Sequence, residues 1–354
     1  MRIPHLIFYA SALCVVLFAC NDSDKKTKNQ QTTDLPELAQ LDQLKHTEFV
    51  PTLESELVQN KNNIYTPALL FAWDRVKKFL DGPVTITDSN SSDFRLLNLS
   101  SSFQNSLTPG EYQVETTLEK NGVIIVKSFF NKTLPFKLQL QRLESPIRFN
   151  NQNVIAFGMK YFDEDLLEFT RILYYKDDNN FILKLTPEDT LHEIILVKGL
   201  TKSKTFADVI TQTNATIDKG ESEKVNPDLS WKYILNPEDN FSVPIIKFNI
   251  AKNYNTLEGQ TFNTRGKPHY VETALQRTAL VLDENGAIVE SKAFTVTDSS
   301  AVEPVIMHPK HLVFDNPFFI IIKRKDTVNP YFVMYIENTE LLLKEKDIKQ
   351  VTNK

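Results

Sequence analysis

Residues 283–322 read DENGAIVESKAFTVTDSSAVEPVIMHPKHLVFDNPFFIII. The run before them, Ala279-Leu280-Val281-Leu282, and the run that closes them, Phe318-Phe319-Ile320-Ile321-Ile322, are apolar and strand-like. The interval is far too long for a hairpin turn, yet from Ala287 to Glu303 it contains neither Gly nor Pro. Connections longer than about 15 residues inside compact domains are usually functional or disordered. This one also keeps out the residues that break strands. Along it, Ala287, Val289, Ser291, Ala293, Thr295, Thr297 and Ser299 are all small or β-branched. The intervening Ile288, Glu290, Lys292, Phe294, Val296 and Asp298 are mixed and partly charged. In an extended chain these two sets fall on opposite faces. Read by composition alone, the same stretch is an ordinary Ser/Thr-rich surface loop.

The chain opens Met1-Arg2 and continues into an apolar stretch from Leu6 to Ala19. It is short and soon meets polar sequence, which marks a secretory signal rather than a membrane span. Leu17-Phe18-Ala19-Cys20 follows the pattern of a bacterial lipobox, in which the Cys20 thiol takes up diacylglycerol and becomes the new N-terminus. The expected organisation is a signal peptide over 1–19, a lipidated flexible tether over 20–35 and a folded domain over 36–354. Asn21 to Asp34 is Lys-, Asn-, Gln-, Thr- and Asp-rich, as such a tether requires. Lipid at Cys20 implies a membrane partner and a bacterial cell envelope location, lipid-anchored at the outer membrane. Cys14 is the only other cysteine and lies in the leader, so the mature chain has no disulfide, cysteine metal site or catalytic thiol.

Removing the leader takes away Arg2, so the net charge of −5 becomes −6. An acidic chain argues against nucleic acid as a partner. Glycine is scarce, 9 residues in 354 against an ordinary share of about 7%, and leaves little material for phosphate-cradling loops. Residues 35–60, with Leu38, Leu41, Leu44, Phe49, Leu53 and Leu57, predict one or two amphipathic helices interrupted near Pro51. Thr66-Pro67 predicts a cap and first turn for a buried helix from Ala68 to about Leu80, followed by a polar stretch to about Ser106. Then β patterns dominate. Tyr112–Leu118 and Val123–Phe130 flank Asn121-Gly122, a hairpin signal. Further strands are expected at 147–149, 154–157, 170–175, 181–185, 193–197, 242–250, 279–282, 318–323 and 331–336. A short helix is expected around 206–211, and another after residue 250 to about Leu257. Helices first and many antiparallel strands afterwards make an α+β fold.

A search for catalytic chemistry assembles nothing. His192-Glu193 lacks the second His of a zinc helix, His308 and His311 read as a solvated loop, and Asp163-Glu164-Asp165 as a solvated bend. There is no Gly-x-Ser-x-Gly elbow, Walker loop or dinucleotide fingerprint. No cofactor and no metal are expected, and the chain does not read as an enzyme.

The C-terminal third resembles the serpin superfamily. Leu312 to Ile322 follows that family's signature, with Asn316 as its departure, and Ala274 to Leu280 with Asp283-Glu284-Asn285-Gly286 matches the strand and hinge leading into its reactive loop. Val243 to Phe248 and Asn63 to Pro67 are similar to two further family segments. The resemblance implies a divergent, shortened serpin-like α+β domain, N-terminal helices followed by mostly antiparallel sheets. It further implies a protease inhibitor: a serine or cysteine protease cuts the exposed loop, whose hinge side (Glu284, Gly286, Ala287, Val289, Ser291, Ala293) inserts into the main sheet. Counting forward from Glu284 places the cut near Ser300-Ala301; counting back from Phe314 places it near Ile306-Met307. Gln276 and Thr66 stand where the family has a buried His and Ser controlling sheet opening, and the region after the first helix is shorter than the family's. The rival function is a non-inhibitory binding or structural lipoprotein on the same scaffold.

Replacing Cys20 by Ser is expected to abolish lipidation and release the protein from the membrane. Labelling with a fatty-acid analogue checks this, and equal label on Cys20→Ser would reject it.

Overall fold

Residues 267–283 form one long strand because the run has no Gly, carries its only Pro at the second position, and alternates inward Ala274, Gln276 and Thr278 with outward Thr273, Leu275 and Arg277. It is the spine of a nine-stranded mixed sheet in the computed structural model, which describes residues 35–86, 91–119, 122–130, 133–201, 203–287 and 308–347. In chain order the strands of this main sheet are β1 (Ala39–Gln40), β2 (Thr85–Ile86), β3 (Gln113–Leu118), β4 (Val123–Phe130) and β5 (Leu134–Pro135). They continue with β6 (Ile246–Asn253), β7 (Thr261–Thr264), β8 (Lys267–Asp283) and β9 (Gly286–Ala287). β6 runs antiparallel to β8 from Ile246 opposite Leu282 to Asn253 opposite Leu275. β4 runs parallel to β8 from Val123 opposite Tyr270 to Phe130 opposite Thr278, and β3 pairs antiparallel outside β4.

The inner face of the sheet is covered by α1 (Ala68–Leu80), which lies against β3 and β4. Alternation on β4 buries Ile124, Val126, Ser128 and Phe130 beneath it. α2 (Ser92–Leu99) packs on α1, and Trp73, Phe94 and Phe262 meet edge-on with centroids 5.2 and 5.3 Å apart around Trp73. A second, seven-stranded sheet has the order 170–177, 180–185, 192–198, 318–324, 332–336, 62–65, 47–49. Its central strand is the apolar Phe318–Arg324, buried over its first five residues. A third sheet orders 311–313, 240–244, 156–159, 141–142. α3 (Phe206–Lys224) lies along the outer strand 170–177.

The fold is α+β, as the order of patterns predicts, and the hairpin around Gly122 forms with that residue at φ +84°. Six expectations are corrected. Residues 35–60 form no α-helix, only a 3-10 turn at Leu41–Gln43: Thr47–Phe49 pairs in parallel with Asn62–Tyr65, and Leu41, Phe49, Leu53 and Leu57 are buried while Leu38 stays exposed. Thr66 does not cap α1, because Pro67 occupies the cap position, and the Thr66 hydroxyl accepts a hydrogen bond from Gln276. The polar stretch after Gly82 contains α2, whose start was legible: Ser91 Oγ accepts from the Phe94 amide at 3.2 Å, and Phe94 and Leu97 are buried three apart. Residues 242–250 divide at Pro244-Ile245 into strands of two different sheets, and after Asn253 the chain makes a single turn, not a helix. α3 runs thirteen residues past the expected Thr211, to Lys224.

Candidate functional site

The pairing of β4 with β8 ends at Phe130 opposite Thr278. Four residues further along each strand stand Leu134 and Leu282, which the same register would bring face to face. Instead Ala287 of β9 lies between them, paired antiparallel with Leu282 on one side and with Leu134 of β5 on the other. Two strands in contact at one level are therefore parted by a whole strand at the next. Since neighbouring strands lie about 4.8 Å apart, the separation doubles to roughly 10 Å.

The turn that delivers β9 is built from Asp283, Glu284, Asn285 and Gly286. The Asp283 carboxylate accepts from the Asn285 backbone amide at 3.0 Å and from its side-chain amide at 3.1 Å. Gly286 sits at φ +119°, and a Cβ there would lie 2.4 Å from the Leu134 carbonyl oxygen, so only glycine fits. Segment 135–142 grips the turn from outside. The Phe136 and Leu140 amides donate to the carbonyls of Asn285 and Glu284, each at 2.9 Å. Arg142 pairs with the Glu284 carboxylate at 2.8 Å. Ala287, 1% exposed, faces the core.

Behind the level where β4 and β8 still touch lies a buried polar cluster. The Gln276 amide donates to Thr66 Oγ1 at 2.8 Å and to Thr278 Oγ1 at 3.2 Å, while the Tyr254 hydroxyl donates to Gln276 Oε1 at 3.1 Å. Burial pushes the Tyr254 phenol well above its ordinary value, and the Glu48 and Asp93 carboxylates add to this, so it remains a protonated donor. Ser128 of β4 stands directly opposite Gln276 and donates to the Leu275 carbonyl at 3.4 Å. The cluster thus ties β8 to the start of α1 and sits on the seam with β4.

The far end of the long connection is also fixed. Lys310 and Asp239 form an ion pair at 2.8 Å with both side chains fully buried, and the Lys310 amide donates to the same carboxylate at 2.7 Å. His311 is exposed and belongs to the short strand 311–313 rather than to a loop, with its Nδ1 2.9 Å from Asn240 Nδ2. Lys198, almost wholly buried, donates to the Val313 carbonyl and to Asp315, both at 2.7 Å. His192 is a buried strand residue, 2.9 Å from the Tyr331 hydroxyl.

Of the site residues read from the sequence, Glu284, Gly286 and Ala287 meet at the parted strands. Val289, Ser291, Ala293, Ser300, Ala301, Ile306, Met307 and Cys20 lie outside the described residues. The sequence reading missed Arg142 and Leu134-Pro135 as partners of the hinge. Nothing local signals them, since Arg142 and Glu284 are 142 residues apart.

Gln276→Ala would leave the buried Tyr254 hydroxyl and Thr66 without their shared partner, at a cost of about 2 kcal/mol or more. A lower urea midpoint at unchanged slope is the expected result. A change below about 0.5 kcal/mol would mean the cluster contributes nothing to holding the sheet.

No protein-family model matches the chain, and no curated protein matches it by sequence. Among solved structures it is similar to Serpin48 of the insect Tenebrio molitor, at 14% identity and a TM-score of 0.34 over 60% of this chain and 55% of that one. It is also similar to a serpin from the trematode Schistosoma haematobium, at 15% identity and a TM-score of 0.37 over 61% and 56%. A third is thyroxine-binding globulin in complex with thyroxine, at 12% identity and a TM-score of 0.36 over 63% and 58%. The alignments span little more than half of each of those chains. The likeness is partial and concerns the fold alone.

Proposed function

We propose that this protein is a serpin-like inhibitor, held at a bacterial membrane by lipid on Cys20, that traps a serine or cysteine protease when its long loop is cut and inserted into the main sheet. The observation that carries this reading is β9, a strand of two loop residues already seated between β5 and β8. Continuing its antiparallel register down β8 sets Val289 opposite Leu280, Ser291 opposite Thr278, Ala293 opposite Gln276 and Thr295 opposite Ala274. All four partners on β8 are buried. From Ala287 to Thr295 the small-residue set of the loop would therefore share a face with the buried set Ala274, Gln276, Thr278 and Leu280, and the charges Glu290 and Lys292 would share the opposite face. An out-of-phase loop would drive those charges into the core, where burial without a partner is costly. Both ends of the loop are anchored, by the Glu284–Arg142 and Lys310–Asp239 pairs, as a loop that stores an unmade strand requires.

The test is incubation with a panel of serine and cysteine proteases, followed by denaturing electrophoresis. A denaturation-resistant complex is expected with at least one protease. Mass spectrometry of the released C-terminal fragment should place the cut at Ser300-Ala301 or at Ile306-Met307. Ser291→Arg should be cut at the same bond yet form no complex, because it places a charge on the inward face. Cleavage without any complex across the panel would reject inhibition and leave the non-inhibitory binding reading, and a cut outside 298–309 would contradict both positions.

A further inference from the structure

The first described residues, Leu35 to Gln40, cross the main sheet at the level where β4 and β8 part. Ala39 and Gln40 add a parallel strand to the free edge of β6, opposite Ile250 and Ala251. The Pro36 carbonyl accepts from Asn249 Nδ2 at 3.0 Å, and Asn249 Oδ1 accepts in turn from Arg277 Nε of β8 at 2.9 Å. Leu35 then lines a cleft of about 160 Å³ with Gln113 of β3, Phe129 and Phe130 of β4, and Arg277 and Ala279 of β8. One short segment is thus tied to β6 and, through Asn249, to β8, and it sets an apolar side chain beside β4.

The helices leave this place to the segment. α1 lies on the inner face, α2 on α1, and α3 on the second sheet, so among the described residues no helix packs on the outer face of β4 and β8. Val123, Ile125, Phe129 and Leu275 are half-buried there.

We propose that Leu35–Gln40 is a strap that restrains β4 from moving away from β8. Its role rests on the strand-insertion reading, because a clamp across these strands matters only if they part. Leu35 lines the cleft over the β4–β8 seam while β1 and Asn249 anchor the strap on the β6 side. Displacing Leu35 removes the strap's hold on β4 and leaves β6–β8 intact. A full-width opening has to expel Leu35 from its cleft.

The test uses the full-length lipidated protein in detergent and compares wild type with Leu35→Asp and Leu38→Asp by amide hydrogen exchange. Leu38 is about half exposed and does not line the cleft. Leu35→Asp is expected to speed exchange about tenfold in 123–130 and 270–279, with Leu38→Asp matching wild type and 318–324 unchanged in both. Wild-type exchange in Leu35→Asp, or faster exchange spread equally to 318–324, overturns the strap. Protease trapping by the same proteins separates the two ideas. Selective loosening without trapping by any of them keeps the strap and rejects inhibition, whereas trapping with unchanged exchange keeps inhibition and rejects the strap.

Discussion

A parallel strand pair that is complete at Phe130 and Thr278 and forced open at Leu134 and Leu282 is the constraint on which the rest of this structure depends. Strand pairing is cooperative along a ladder, so a separation of one strand width within four residues needs something to hold it. Here Gly286 and Ala287 fill the opening, and they can do so because Gly286 tolerates a left-handed backbone against the Leu134 carbonyl. Below the opening, Gln276, Thr66, Thr278 and Tyr254 tie β8 to the start of α1 through buried hydrogen bonds that are costly to leave unmade. The sheet is therefore closed by the backbone ladder of β4 and β8 up to Thr278 and opened beyond it by the turn at Gly286.

What surrounds this boundary bears on how easily it moves. β4 carries α1 on its inner face, but its outer face holds half-buried apolar residues with no helix of the described residues upon it. A strand with less packed on it has fewer contacts to break when it shifts.

Much of this was legible in the sequence, because the decisive signals are local and repeat with a simple period. The alternation of 123–130 and the Asp-Glu-Asn-Gly turn each state their own conformation, and Gln276 and Thr66, the two departures from the resembled pattern, are hydrogen-bonded to each other. The misses share a cause: they were decided by partners far away. Leu38, Leu41 and Leu44 have helical spacing, yet the segment becomes a strand, a short turn and a connection because β6 offers a free edge. Thr66 looks like a cap, yet its hydroxyl is taken by a residue 210 positions later. Arg142 carries no motif at all and matters only because the turn at Glu284 reaches it. Tertiary context overrides propensity at such positions.

The central claim is that the main sheet accepts the loop as a further strand. The most direct measurement is the melting temperature of the purified protein before and after a single cut between residues 298 and 309. About a dozen newly paired residues at about 1 kcal/mol each, set against an unfolding entropy of about 2 cal/mol/K per residue, correspond to a rise on the order of 15 °C. A rise of that size is the expected result. A melting temperature that is unchanged or lower after the cut would contradict the account.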